Sequence, residues 1–225
     1  MKRITVLLAE DHQIVREGFR SLLEHERDIE VVGEAETGRQ AVQLTRKLRP
    51  AVVVMDIAMP LLNGLEATRQ IRKDFPNTRV LILSAHSDDA YVEQVAALGA
   101  AGFLLKQTSS DVLAKAIREV QKGNTFFSPA ISRRVQVRSQ KLAALGESST
   151  KRGNRLSSRE LEVLQLIAEG KPNKQVAAEL GVSFRTVDKH RQHLMSKLDI
   201  HDVAGLTRYA IAEGIIESNV RVTIT

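Results

Sequence analysis

Three short runs that are apolar almost throughout constrain this chain most: ITVLLA at 4–9, AVVVM at 51–55 and RVLILS at 79–84. A strand with one face in water alternates apolar and polar residues; a strand covered on both faces does not need to. The runs are short and rich in β-branched residues, so they predict buried strands of a parallel sheet. IEVVGEA at 29–35 and AGFLL at 101–105 complete a set of five. Helical spacing fills the gaps. Ile14, Val15, Phe19, Leu22 and Leu23 repeat at that period, as do Ala41, Val42, Leu44 and Leu48. Further helices are expected over 64–73, 88–98 and 110–122, the last carrying Val112, Leu113, Ala116, Ile117 and Val120. Five strand–helix units in a row predict an α/β fold with right-handed crossovers and helices on both faces.

The remaining 100 or so of the 225 residues read differently. From Gly123 to Asn154 periodicity weakens: GNTFFSPA is turn-like and LGESSTKRGN has the composition of a connector, although helical register persists across 129–145. From Leu156 four helices are expected, near 158–169, 173–180, 183–198 and 201–213. The predicted organisation is an N-terminal domain over 1–122, a basic, partly helical linker over 123–154, an all-α domain over 155–217 and a tail over 218–225.

The net charge of +6 is not spread evenly. Residues 1–125 hold 17 Lys/Arg and 17 Asp/Glu, and residues 156–225 hold nine of each. Residues 126–155 hold seven bases (Arg133, Arg134, Arg138, Lys141, Lys151, Arg152 and Arg155) against Glu147, which is the whole excess. A basic linker beside a nucleic-acid-binding module is able to touch phosphates. No apolar run approaches the roughly 18 residues of a membrane helix. Glu10 and Asp11 break the apolar stretch of MKRITVLLAEDH, which argues against a secretory signal and for a cytoplasmic protein. The absence of cysteine excludes disulfides and thiolate metal sites.

Within VVVMD the acid Asp56 closes the most apolar strand. Burying it there costs several kcal/mol unless something pairs with it. In an open parallel sheet, ligands bind at the carboxyl ends of the strands. Those ends carry Glu10 and Asp11 after strand one, Asp56 after strand three, Ser84 after strand four and Lys106 after strand five. Three carboxylates in one pocket repel each other unless a cation lies between them, and an all-oxygen ligand set suits magnesium. A carboxylate beside magnesium and a lysine is a phosphoryl acceptor, with the metal and Lys106 neutralising the transferring group and Ser84 donating a hydrogen bond.

These residues, with the MPxxxG step at Met59 to Gly64 and GFLLK at 102–106, resemble the receiver domain of bacterial response regulators over about residues 3–122. The resemblance implies a flavodoxin-like (βα)5 fold with strand order 2-1-3-4-5. It implies phosphorylation at Asp56, magnesium held by Glu10, Asp11, Asp56 and the Ala58 carbonyl, a switch pair of Ser84 and Phe103, and Lys106 on the phosphoryl group. Two positions depart from or refine the pattern. Gln107 stands where many receivers carry proline, and His86 occupies a place that in the family influences phosphoryl lifetime.

The second half carries its own signature. Ser157 and Ser158 before Arg159-Glu160 read as a capped helix start, with Leu161, Val163, Leu164, Ile167 and Ala168 as its apolar face. Gly170 stops that helix, Val176, Ala177 and Leu180 turn the next one inward, and Gly181 makes the tight turn of a helix-turn-helix unit. Ser183 caps a longer third helix, in which Val187, Leu194 and Leu198 share one face. At about 100° per residue, Arg185, Lys189, Gln192 and Ser196 lie opposite, flanked by Asp188. That polar face suits the major groove, while Lys174 and Thr186 are better placed for phosphates. The segment resembles the LuxR-type helix-turn-helix, and the whole chain resembles the NarL/FixJ family. The resemblance implies four helices, of which the third reads DNA, and a homodimer that uses the fourth; Val203, Leu206, Ala210 and Ile211 are open to either core or partner there. Asp188 stands where many relatives carry a base. An acid there repels phosphates and accepts a hydrogen bond from a cytosine amino group.

The reading is a two-component transcription regulator, not an enzyme in its own right, in which a sensor histidine kinase phosphorylates Asp56, Phe103 turns inward, and double-stranded DNA is bound. The chain would also catalyse its own phosphorylation and dephosphorylation. Three alternatives stand beside it: phosphorylation-independent regulation, gating by a small ligand, and a magnesium-dependent phosphatase acting through an aspartyl phosphate. A phosphatase of that type needs a second acid two residues after the nucleophile, where this chain has Ala58.

Overall fold

The computed structural model describes residues 3–85, 92, 95–127, 133 and 156–216. The chain divides into two compact units, 1–150 and 151–225. In the first, β1 (Ile4–Ala9), β2 (Ile29–Ala35), β3 (Val52–Asp56), β4 (Arg79–Ser84) and β5 (Gly102–Leu105) form one parallel sheet in the order β2-β1-β3-β4-β5. Strand β3 ends on Asp56 itself, one residue later than the apolar run suggests, because Asp56 still pairs with Leu83.

Alternation along the strands sorts the core into two layers. Leu7, Ala9, Val53, Met55, Val80 and Ile82 face one side, where α2 (Gly38–Leu48) and α3 (Gly64–Asp74) deliver Ala41, Ala67 and Ile71. Val6, Leu8, Val52, Val54, Leu81 and Leu83 face the other, against Phe19 and Leu23 of α1 (Gln13–Glu24) and Leu113, Ile117 and Val120 of α4 (Ser110–Gln121). The three apolar strands are therefore covered on both faces, which explains their lack of alternation. The helix expected over 88–98 falls largely outside the described residues, with helical backbone at 92 and 95–97.

Two expected core positions in α1 are corrected. Ile14 is 85% exposed and Leu22 is also exposed, whereas Arg16 is buried. The buried stripe runs Arg16, Phe19, Leu23, at steps of three and four; Ile14 is five residues before Phe19 and points away from it.

The second unit is helical among its described residues: α5 (Ser158–Ala168), α6 (Asn173–Leu180), α7 (Phe184–Leu198) and α8 (Val203–Ala212). Helix α5 packs on all three others, and its residues 162–167 are buried all round. Ser157 and Glu160 close its start with a reciprocal capping box. Glu160 also meets Lys197 of α7 at 2.7 Å, and burial of that carboxyl is outweighed by Lys197 and Ser157, which hold its pKa below the ordinary value. Gly181, at φ 61°, ends α6 in the left-handed conformation and turns the chain into α7. Of the linker expected over 123–154, residues 123–127 and Arg133 are described; the rest of it, and the tail expected over 218–225, lie outside the described residues.

Candidate functional site

In the N-terminal unit the carboxyl ends of β1, β3, β4 and β5 meet around one lysine. Lys106 Nζ lies 2.8 Å from Glu10 Oε2 and 3.1 Å from Asp56 Oδ2, bridging the first and third strands from the end of the fifth. The Lys106 backbone N–H donates to the Ser84 carbonyl at 2.8 Å, which ties the lysine to the end of β4. Glu10, Asp56 and Ser84 are buried, and Asp11 is half-buried.

The two oxygens of Asp56 are not equivalent. Oδ1 accepts the Ile57 backbone N–H at 2.8 Å, while Oδ2 lies 3.1 Å from the Lys106 ammonium. Burial, and then Glu10, push the Asp56 pKa up from 3.8 to about 6. Burial also works against the Lys106 ammonium, but Asp56 and Glu10 outweigh it and hold its pKa above the ordinary lysine value. His12 adds its ring: Nδ1 is 2.8 Å from Asp11 Oδ1 and 3.1 Å from Glu10 Oε1, and Asp11 raises the imidazole pKa. Glu10, Asp11 and His12 form a cluster of potential metal ligands.

Three buried oxygens, Glu10 Oε2, Asp11 Oδ1 and Asp56 Oδ2, are met by the ion-pair nitrogens of Lys106 and His12 at 2.8 to 3.1 Å, without a hydrogen bond of good geometry among the described residues. Three carboxylates around one lysine and one imidazole leave negative charge in excess, and hard oxygen ligands of that kind are what a divalent cation requires. The donor set therefore fits magnesium.

Gly64 lets the loop after β3 close over this pocket. A Cβ there would sit 1.8 Å from the Asp56 carbonyl oxygen, and the Gly64 N–H donates to the Ile57 carbonyl at 2.8 Å. Ala58, whose carbonyl was expected among the ligands, is half-buried in that loop. Phe103 is already buried in the apolar layer with Met55, Ile57 and Met59, so the inward turn expected of it has no outward starting point in this structure. His86 lies outside the described residues.

In the C-terminal unit Val187 and Leu194 of α7 are buried, while Lys174, Arg185, Lys189 and Gln192 are exposed. Ser183 caps α7 through the Thr186 N–H at 3.1 Å, and the Ser183 and Thr186 hydroxyls are 2.8 Å apart. Gln192 Nε2 donates to Asp188 Oδ2 at 3.2 Å. Phe184, 57% exposed at the first turn of α7, escaped the reading of the sequence; an aromatic next to a cap serine in a turn was the available signal. On α8, Leu206 and Ala210 are fully buried within their own unit, so their expected place in a dimer contact is corrected. Val203 and Ile211 are the exposed apolar residues of that helix.

Residues 6–118 match the family model of the response regulator receiver domain, and residues 154–210 match that of the bacterial regulatory proteins, luxR family. The chain is 37% identical over 214 residues to the transcriptional regulatory protein MctR of Rhizobium johnstonii, covering 95% of this chain and 96% of the other. The chain belongs to the response regulators. Another response regulator, VraR of Staphylococcus aureus, is 35% identical over 95% of this chain and 99% of its own. Among solved structures, the response regulator RcsB of Salmonella typhimurium aligns at a TM-score of 0.55 and 31% identity, over 94% of this chain and all of that one. A second RcsB structure, bound to promoter rprA in the presence of the phosphomimetic BeF3-, aligns at 0.57 and 28% identity over 92% of this chain and 98% of that one. With a receiver followed by a LuxR-type DNA-binding domain, this regulator is a two-component transcriptional response regulator. No helix among its described residues is long and apolar enough to cross a membrane.

Proposed function

We propose that Asp56 is the phosphoacceptor of this response regulator and that a sensor histidine kinase is its donor. The observation that carries the reading is the Lys106 bridge between Glu10 and Asp56 at a strand edge where Asp11 adds a third carboxylate. Glu10, Asp11, Asp56 and the Ala58 carbonyl would hold magnesium. When bound, the ion supplies positive charge beside the transferring phosphoryl group. Asp56 Oδ2, the oxygen not held by Ile57, attacks the phosphorus of a phosphohistidine. The new O–P bond forms as the P–N bond breaks, and the imidazole leaves with the electron pair. Lys106 pairs with the phosphoryl oxygens, and the Ser84 hydroxyl donates to one of them. The same pocket would let the chain promote its own phosphorylation from small donors and its own dephosphorylation.

Phosphorylation at the sheet edge would shift the receiver between two states and license DNA binding by a homodimer. Helix α7 then enters the major groove, with Arg185, Asp188, Lys189 and Gln192 toward base edges and Lys174 and Thr186 toward phosphates. Val203 is the residue of the expected dimer set left exposed on α8. Residues 123–154 serve as the basic connector between a receiver over 1–122 and a DNA-binding domain over 155–217, with 218–225 as a tail. Phosphotransfer from a labelled histidine kinase is the test. Label should appear on the wild-type chain in magnesium and be absent from Asp56→Ala; equal labelling of the two ends the proposal.

A further inference from the structure

Arg16 is a buried charge that the phosphotransfer reading leaves without a task. It is 7% exposed, in the first turn of α1, and each guanidinium nitrogen has its own acceptor. Nη1 donates to the Glu10 carbonyl at 2.7 Å, Nε to Glu34 Oε2 at 3.1 Å and Nη2 to Glu36 Oε1 at 2.8 Å. Glu34 and Glu36 belong to β2 and the turn after it, so one side chain joins α1, the end of β1 and the end of β2.

The contact with Glu10 is the informative one. The Glu10 N–H donates to the Ala35 carbonyl at 2.9 Å, the last hydrogen bond of β1 to β2. Beyond it the chain leaves the sheet, and the Glu10 carbonyl has lost the ladder partner that a strand would give it. That carbonyl and the Asp11 nitrogen form a single rigid peptide plane. Its rotation sets where the Glu10 and Asp11 side chains point. Ala35 holds the peptide before Glu10 and Arg16 the peptide after it, so the backbone at Glu10 has little freedom left.

We infer that Arg16 is a positioning residue for the magnesium pocket, fixing the Glu10–Asp11 peptide so that both carboxylates face Asp56. The inference rests on the reading of that pocket as a magnesium site. Arginine suits the task because its planar fork serves three separated acceptors at once, which a lysine ammonium on a flexible stem does not. Glu34 and Glu36 are what makes the charge tolerable at this depth. Residues that orient metal ligands from outside typically change metal affinity by tenfold or more when replaced.

A purely structural staple would lower stability and leave magnesium affinity alone, so the two roles separate in calorimetric titration of the full chain with magnesium chloride. Arg16→Met should weaken magnesium binding by on the order of tenfold. Arg16→Lys, which keeps the charge and loses the fork, should weaken it by less and remain folded if Arg16→Met does not. Glu36→Gln removes the charge of one partner of Arg16 without touching the Glu10 carbonyl and should bind magnesium as the wild type does, whatever its melting temperature. Wild-type affinity in folded Arg16→Lys or Arg16→Met overturns the inference. A wild-type chain that binds no magnesium overturns the parent reading together with it, a result recognisable because no variant is needed to see it.

Discussion

Asp56 is the residue at which the proposed function costs stability. Its pKa in the folded chain is about 6 against an ordinary 3.8, so folding favours the protonated acid. The sign follows: the contribution of Asp56 to stability is fully present below about pH 4 and is lost as pH rises through about 6. Roughly two units at about 1.4 kcal/mol each make the ionised carboxylate a cost of about 2–3 kcal/mol in the metal-free protein. Asp56→Asn should therefore raise the melting temperature in a chelator at pH 7.5 and lose most of that advantage at pH 4. Magnesium should stabilise the wild type and do much less for the variant, because binding to the folded state alone is what raises stability. Thermal denaturation across pH, with and without magnesium, reads both effects. At the other end of the chain Asp188 sets a second expectation. Bonded to Gln192 Nε2, it presents an acceptor to the groove, and among the four bases cytosine offers an amino donor with no acceptor beside it. Asp188→Ala should lose a cytosine preference at one position of each half-site in a binding-site selection, and should bind non-cognate duplex more tightly as the negative charge is removed. These two acids stood out in the sequence because each breaks a local pattern. Arg16 breaks one too, a charge at the i, i+3, i+7 spacing of Phe19 and Leu23, and Ile14 hid it by offering an apolar residue two positions earlier.

At the scale of the elements, strands were the most legible part of the chain. Burial on both faces leaves continuous apolar runs, and the strand bounds at 4–9, 29–35 and 79–84 follow the runs residue for residue. Helix bounds were legible where a cap was read, as at Ser157 and Ser183; the cap at Asp202 went unread, and α8 starts at Val203, not near 201. Orientation was harder to read, since apolar spacing names a face without saying how far each end of the helix reaches past its neighbours; Leu22 is exposed for that reason and Leu23 is not. The turn between β3 and α3 was legible only as a motif. Its physical cause is Gly64, which starts α3 against the Asp56 carbonyl while Leu61 takes a positive φ of 67° beside it. Gly64→Ala places a methyl carbon within 1.8 Å of that oxygen, and backbone cannot give way as a flexible side chain does. Overpacking of this kind costs about 1–3 kcal/mol, and here the strain falls on the loop that carries Ala58. The variant should show a lower urea midpoint together with weakened magnesium binding, whereas a methyl group accommodated by general softening of the domain would lower only the first.

For the whole molecule the distribution of charge carries an expectation about how DNA is approached. The two folded parts are each neutral by count, with 17 bases and 17 acids in residues 1–125 and nine of each in residues 156–225. The excess of six positive charges lies in residues 126–155 alone. Non-specific attraction to a duplex grows with the number of phosphates neutralised, and each contact steepens the fall of log affinity with log salt by about 0.9. A neutral helix-turn-helix domain has little of this attraction to spare, since Asp188 and the other acids offset Lys174, Arg185 and Lys189. On the proposed function, the connector is then where sequence-independent affinity is expected to come from. Replacing Arg133, Arg134, Arg138 and Lys141 together by glutamine should weaken binding to every duplex alike and flatten the salt slope by up to about 3.6, while the selected site stays the same. Lys189→Gln should instead alter the selected site while flattening the slope by less. If the four connector substitutions leave both slope and affinity untouched, those bases are merely solvated, and the phosphates are met by α6 and α7 alone.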